Sequence, residues 1–258
     1  MNRLFFSSLC LTVLFIGCGP APVSQQEARQ NIAVAINQDR IQIPLDDKVA
    51  GATASLTRNF YFVFDGSGSM GYSLSGSCVG DQRFSTRLDG AKWAGKEFVT
   101  KVPSDVNLGL YVFDGYGERE VLSLGSGNQA KFLREVDNIR AGGGTPLGSA
   151  VRLGTEKLVE QYKRQLGYGE YRLVVVTDGQ ADNEIEAANA YLNSIRFNIP
   201  IYAIGLCIEN NHPLRQYALS YRAADSAEDL RRGLEETLAE LPNFDVQEFQ
   251  PVATGTAK

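Results

Sequence analysis

The stretch Asn59-Phe-Tyr-Phe-Val-Phe-Asp65-Gly-Ser-Gly-Ser-Met70 decides the reading of this chain. Five consecutive apolar residues, Phe60–Phe64, run straight into an acidic, glycine-rich turn. A run that is apolar without alternation predicts a strand buried on both faces, as in a parallel sheet. Three further runs share the pattern: Leu108–Phe113, Leu173–Thr177 and Ile201–Leu206. Between them lie apolar stripes at helical spacing. The stripes are Leu88/Ala91/Phe98/Val102, Phe132/Leu133/Val136/Ile139, Leu147/Val151/Gly154/Leu158, Ile185/Ala188/Leu192/Ile195 and Leu230/Leu234/Leu238/Leu241. Ser226 and Asp229 form a capping box ahead of the last stripe. Alternating strands and helices predict a doubly wound α/β fold, a mostly parallel sheet with helices on both faces. The functional site of such a sheet lies outside the carboxyl ends of its strands.

Three polar clusters fall at those ends: Asp65-Gly-Ser67-Gly-Ser69, Gly142-Gly-Gly144-Thr145-Pro146 and Thr177-Asp178-Gly179. Asp65 and Asp178 offer two carboxylates, and Ser67, Ser69 and Thr145 three hydroxyls. Such a hard-oxygen set suits Mg²⁺, with Mn²⁺ or Ca²⁺ as alternatives, rather than zinc. The glycines between Asp65, Ser67 and Ser69 let a tight turn aim all three side chains inward. Each cluster also has a plainer reading. Asp, Gly and Ser are common turn residues, and Thr145-Pro146 reads as an N-cap followed by proline at the first helical position.

These three motifs, in this order, resemble the von Willebrand factor type A (vWA) domain and its metal-ion-dependent adhesion site, over about residues 58–242. The resemblance implies that Ser67, Ser69 and Thr145 give hydroxyl ligands. It implies that Asp65 and Asp178 bind the ion directly or through water. It further implies an open coordination position for an acidic group of a partner protein, and no catalysis.

Other readings are weaker. Gly66-x-Gly68-x-x-Gly71 matches a dinucleotide fingerprint in letters. No helix is expected at these glycines, however, and Asp65 would repel pyrophosphate. A phosphatase of the haloacid dehalogenase type is the main enzymatic alternative, with Asp65 as nucleophile and Asp178/Asp182 as the acidic pair. Ser67 then stands where that family has a second Asp. A structural envelope protein with an unused metal site is the third reading.

The flanks suggest export. Arg3 precedes an apolar run, Leu4–Ile16, too short to span a bilayer and typical of a signal peptide over 1–17. Phe15-Ile16-Gly17-Cys18 resembles the lipobox of bacterial lipoproteins, which implies a lipid on Cys18 and attachment to a membrane of the cell envelope. An ordinary cleaved signal is the alternative. Residues 18–57 read as a polar tether with a small hairpin around 32–45, and 243–258 as a tail. Cys78 and Cys207 remain after processing, and an oxidising compartment favours a bridge between them; two separate thiols are the alternative.

The whole chain of 258 residues carries a formal charge of −5 and one histidine. The charge argues against nucleic acid as a partner, and the lone His212 against histidine-based zinc sites. His212 sits in a polar turn and is expected at the surface. Trp93 is expected to pack against the core.

Overall fold

The computed structural model describes residues 40–45, 51–74, 84–208 and 212–239. The signal segment, Cys18, Cys78 and the C-terminal tail lie outside them.

The four apolar runs are all strands. In chain order the elements are β1 (Arg58–Asp65), a 3-10 turn (Gly68–Gly71), α1 (Arg87–Lys101), β2 (Asn107–Asp114), β3 (Gly117–Gly125), α2 (Gln129–Asn138), α3 (Leu147–Arg164), β4 (Glu170–Thr177), α4 (Glu184–Arg196), β5 (Ile201–Leu206), α5 (Leu214–Tyr217), β6 (Ser220–Ala224) and α6 (Ala227–Ala239). The six strands form one sheet in the order β3-β2-β1-β4-β5-β6. Only β3 is antiparallel to its neighbour. The expected doubly wound architecture is therefore present.

Strand periodicity divides the core into two layers. Phe60, Phe62 and Phe64 of β1 join Leu110, Val112, Val174, Val176 and Ile204 on one face, under α1, α2 and α6. Tyr61 and Val63 join Phe113, Leu173, Val175 and Ala203 on the other, under α3 and α4. β1 lies at the centre of both layers. The Phe62 ring meets Phe98 at 5.5 Å and Phe132 at 5.1 Å between centroids. On the opposite face Tyr61 is flanked by Gly109 and Gly154. A Cβ at Gly109 would sit 2.5 Å from the ring, and one at Gly154 3.2 Å from it. Gly109, the partner of Tyr61 in the β1–β2 ladder, leaves room for the ring over β2, and Gly154 lets helix α3 approach it.

Helix α1 starts at a capping box between Thr86 and Asp89, and α6 at Ser226, whose hydroxyl accepts the Asp229 N–H at 3.0 Å. Three expectations are corrected. Helix α4 buries Ala187, Ala190, Tyr191 and Ser194, whereas Ile185 and Leu192 of the expected stripe are exposed. Small residues win that face because α4 packs tightly on α3: a Cβ at Gly148 would lie 2.9 Å from the Ala187 nitrogen. Proline 146, not Thr145, holds the N-cap position of α3. Residues 40–45, the second half of the expected hairpin, hold no strand; Ile41 instead donates to the Arg196 carbonyl at the end of α4. The first half lies outside the described residues. Trp93 is partly buried against the core, as expected. No helix among the described residues is long and apolar enough to cross a membrane.

Candidate functional site

Strand order reverses between β1 and β4, and the carboxyl ends of these two strands carry the acidic turns. Asp65 ends β1, fully buried. One of its oxygens accepts the Ser67 N–H at 2.7 Å, and the other accepts the Thr177 hydroxyl at 2.6 Å. That pair of bonds ties the β1 turn to the last residue of β4. Gly66 follows in a place with no room for a side chain: a Cβ there would meet Ile139 Cγ2 at 2.6 Å and Asp114 Cβ at 2.8 Å.

The turn is laced to the glycine loop. Gly68 donates to the Gly143 carbonyl, and Gly142 to that of Gly66, at 3.1 and 3.0 Å. The buried Met70 pins the 3-10 turn from below. Ser67 and Ser69 bring their hydroxyls within 3.1 Å of each other. Ser69 in turn donates to Asp178 Oδ1 at 2.7 Å. Asp65, Ser67, Ser69 and Asp178 thus form one hydrogen-bonded chain. Thr145 completes the rim: a Cβ built on Gly179 would lie 3.6 Å from its hydroxyl and 3.7 Å from that of Ser69. All five residues expected from the sequence meet at this end of the sheet.

The charges are poorly balanced. Burial, and then the neighbouring Asp178, push the Asp65 carboxyl up to about 6, against the hydrogen bonds from Ser67 and Thr177. Two buried carboxylates side by side favour a cation between them. The donors are carboxylate and hydroxyl oxygens throughout, which fits a hard divalent ion. Among the described residues no three of His, Cys, Asp and Glu cluster as a metal site; hydroxyls supply most of this donor set.

Four residues take parts at the site that the sequence did not assign to them. Arg87, the first residue of α1, donates to Asp178 Oδ2 at 2.8 Å. Its signal was a basic residue at a helix start, where the dipole disfavours it. Asp182 grips the glycine loop: it accepts the Thr145 N–H at 2.8 Å and donates its own N–H to the Thr145 carbonyl at 3.0 Å. Thr177 bridges to Asp65, as described. His212 is buried rather than at the surface. Its Nδ1 accepts the Leu214 N–H at 3.1 Å, so Nε2 carries the proton and donates to the Gly179 carbonyl at 2.8 Å. Burial lowers its pKa and keeps it neutral, against the pull of that carbonyl. A polar turn concealed this, since the imidazole is held inside by the Leu214 N–H and by the Gly179 carbonyl, which also accepts from the Thr177 hydroxyl.

Asp114 supports the site from β2. It accepts hydrogen bonds from Arg119 at 2.6 Å, from the Tyr116 N–H at 2.8 Å and from the Arg140 N–H at 3.1 Å, just before the glycine loop. Burial opposes its charge, but these bonds outweigh burial and hold its pKa below the usual value. A depressed carboxylate stabilises the fold fully above its unfolded pKa of about 4, and that contribution is lost as pH falls through the folded value. Urea unfolding from pH 6 down to pH 2 should therefore show a loss of stability below about pH 4 that is smaller in Asp114→Asn. Equal slopes would mean that Asp114 carries no such linkage.

Residues 59–250 match the von Willebrand factor type A domain. The chain belongs to this family. Solved structures agree on the fold. A pilus adhesin, SpaC of Lactobacillus rhamnosus GG, is similar at 15% identity with a TM-score of 0.55, over 73% of this chain and 31% of that one. A von Willebrand factor type A protein of Catenulispora acidiphila gives 17% and 0.53, over 73% and 47%. The vWF domain of the type V pili tip protein Mfa5 of Porphyromonas gingivalis gives 11% and 0.53, over 78% and 99%. The chain thus spans less than half the length of the first two. No curated protein matches it. Cys207, which follows β5, is disulfide-bonded and has a positive φ of 58°; its bonding partner lies outside the described residues.

Proposed function

We propose that this vWA domain is a metal-dependent protein-binding module, exported and held at a bacterial envelope membrane by lipid on Cys18. The observation that carries the reading is the hydrogen-bonded chain Asp65–Ser67–Ser69–Asp178 with Thr145 beside it. Asp65, Ser67, Ser69, Thr145 and Asp178 would hold a divalent cation, Mg²⁺ in the first place. When bound, that ion supplies a concentrated positive charge for an acidic group of a partner protein. The chain's own residues do the positioning. Thr177 and the Ser67 N–H orient Asp65, Asp182 sets Thr145, and His212 fixes the loop after Asp178.

Two further observations support binding over catalysis. The imidazole of His212 is committed to backbone groups at both nitrogens and offers no base. Asp182, which a phosphatase would aim at a metal beside Asp178, is engaged by the Thr145 backbone. The fold is shared with a pilus adhesin and a pilus tip protein, and adhesion at the cell surface is carried to this chain as part of the proposal.

The test is capture of envelope proteins by the immobilised protein with Mg²⁺ or with EDTA, beside Thr145→Ala. Capture that requires Mg²⁺ and is lost in the folded variant is the expected result. Capture that is indifferent to both would overturn the metal-dependent reading and leave a surface used without an ion. Turnover of a phosphoester in Mg²⁺, lost in Asp65→Ala, would move the protein to the hydrolase class.

A further inference from the structure

Arg87 is the one cationic side chain bonded to the oxygen chain just described, among the described residues. Its guanidinium takes Asp178 Oδ2 at 2.8 Å, while Ser69 takes Oδ1 at 2.7 Å. Both oxygens of Asp178 are therefore engaged within the chain. The Asp178 side chain is wholly buried and that of Arg87 is 19% exposed, so water screens the pair poorly. Three features show that this contact is built rather than incidental. The Arg87 N–H is tied to the Tyr72 carbonyl at 3.0 Å, which anchors the residue to the 3-10 turn of the site. The capping box of Thr86 and Asp89 fixes the helix start on which Arg87 stands. A cation at that first position opposes the helix dipole, and the Nε of Arg87 is buried with no hydrogen-bond partner. The position is thus unfavourable for arginine in two respects, and the Asp178 contact is what offsets them.

We infer that Arg87 is a built-in counter-cation that competes with the divalent ion for Asp178 and sets the site's affinity for free metal low. The inference rests on the metal-binding reading above. In the metal-free protein two carboxylates and one guanidinium leave a single negative charge. A bound divalent ion turns that into a net charge of +1, with the ion and the guanidinium as two like charges that share Asp178. An incoming carboxylate neutralises it. Arg87 thereby makes firm retention of the ion conditional on an anionic partner, and it favours such a partner over a neutral one.

Calorimetric titration of Mn²⁺ into the full chain, wild type against Arg87→Gln and Arg87→Met, tests this. Far-UV circular dichroism identifies which variants are folded, and two neutral replacements of different polarity guard against the failure of one. Removing the like charge that shares Asp178 with the ion should tighten Mn²⁺ binding by about tenfold or more. A second titration with acetate present should tighten Mn²⁺ binding more in wild type than in either variant. A dissociation constant in the variants equal to or weaker than that of wild type overturns the role of Arg87 and leaves the metal site standing. Absence of Mn²⁺ binding in wild type and both variants overturns the metal-binding reading, and the inference with it.

Discussion

Asp65→Asn should abolish divalent-cation binding while the domain stays folded. The substitution keeps the shape of the side chain and removes one of the two buried charges. Its carbonyl oxygen still accepts one of the bonds from the Ser67 N–H and the Thr177 hydroxyl. The amide cannot accept the other, and that mismatch is offset by relief from a carboxylate whose ionisation burial already opposes. For the cation the change has no such compensation. Altering groups that merely orient metal ligands costs about 10–100-fold in affinity, so loss of a charged donor should cost at least about 100-fold. Calorimetry with Mg²⁺ and Mn²⁺, with a urea melt on the same sample, reads both halves of the expectation. Undiminished binding in Asp65→Asn would remove Asp65 from the ligand set.

Phe62→Ala should produce the largest loss of stability of any single truncation considered. The ring is 1% exposed, lies on the central strand and packs on Phe98 of α1 and Phe132 of α2. Deleting it would leave a cavity between a sheet and two helices that cannot both close on the gap. A buried Phe→Ala change of this kind costs about 3–5 kcal/mol. For a domain of this size that lowers Tm by roughly 10 °C. Differential scanning calorimetry or urea unfolding would measure it, and a loss below about 1 kcal/mol would mean that α1 and α2 slide in to refill the space.

The legible and illegible parts of this structure differ in physical kind. The four interior strands announced themselves because burial on both faces demands unbroken apolar runs. The edge strands did not. β3 (Gly117–Gly125) carries Glu118, Arg119 and Glu120, which answer Tyr111, Asp114 and Tyr61 across the sheet rather than filling a core. β6 (Ser220–Ala224) is only half-buried along most of its length. Their composition reads as loop because an edge needs fewer apolar residues. Helix α4 misled in phase because close packing there selects alanine and serine over leucine.

The meeting of Asp65, Ser67, Ser69, Thr145 and Asp178 was readable because glycines bracket them at strand and helix ends, a pattern that turn geometry makes conspicuous. Arg87 and Asp182 were not, because their roles depend on which loops meet in space. Asp182 lies four positions after Asp178 but serves Thr145, 37 positions earlier. His212 was misplaced for a related reason. A histidine among polar neighbours gives no sign of burial until the backbone groups it satisfies are known.

The site's wiring bears on how the protein matures. Asp65 and Thr177 are 112 positions apart, and Ser69 and Asp178 are 109 apart. Contacts so distant in sequence form late, after the loop-closure entropy of the intervening chain has been overcome. The site therefore comes into being only when β4 has docked beside β1, the step that joins the two halves of the sheet. A chain stalled with β1–β3 assembled, or clipped in the Gln165–Gly169 connection and separated, would keep Asp65 and lack Asp178 beside it. Possession of the complete oxygen cluster is in that sense a certificate of finished assembly: only a copy with β4 docked beside β1 can present it to another molecule.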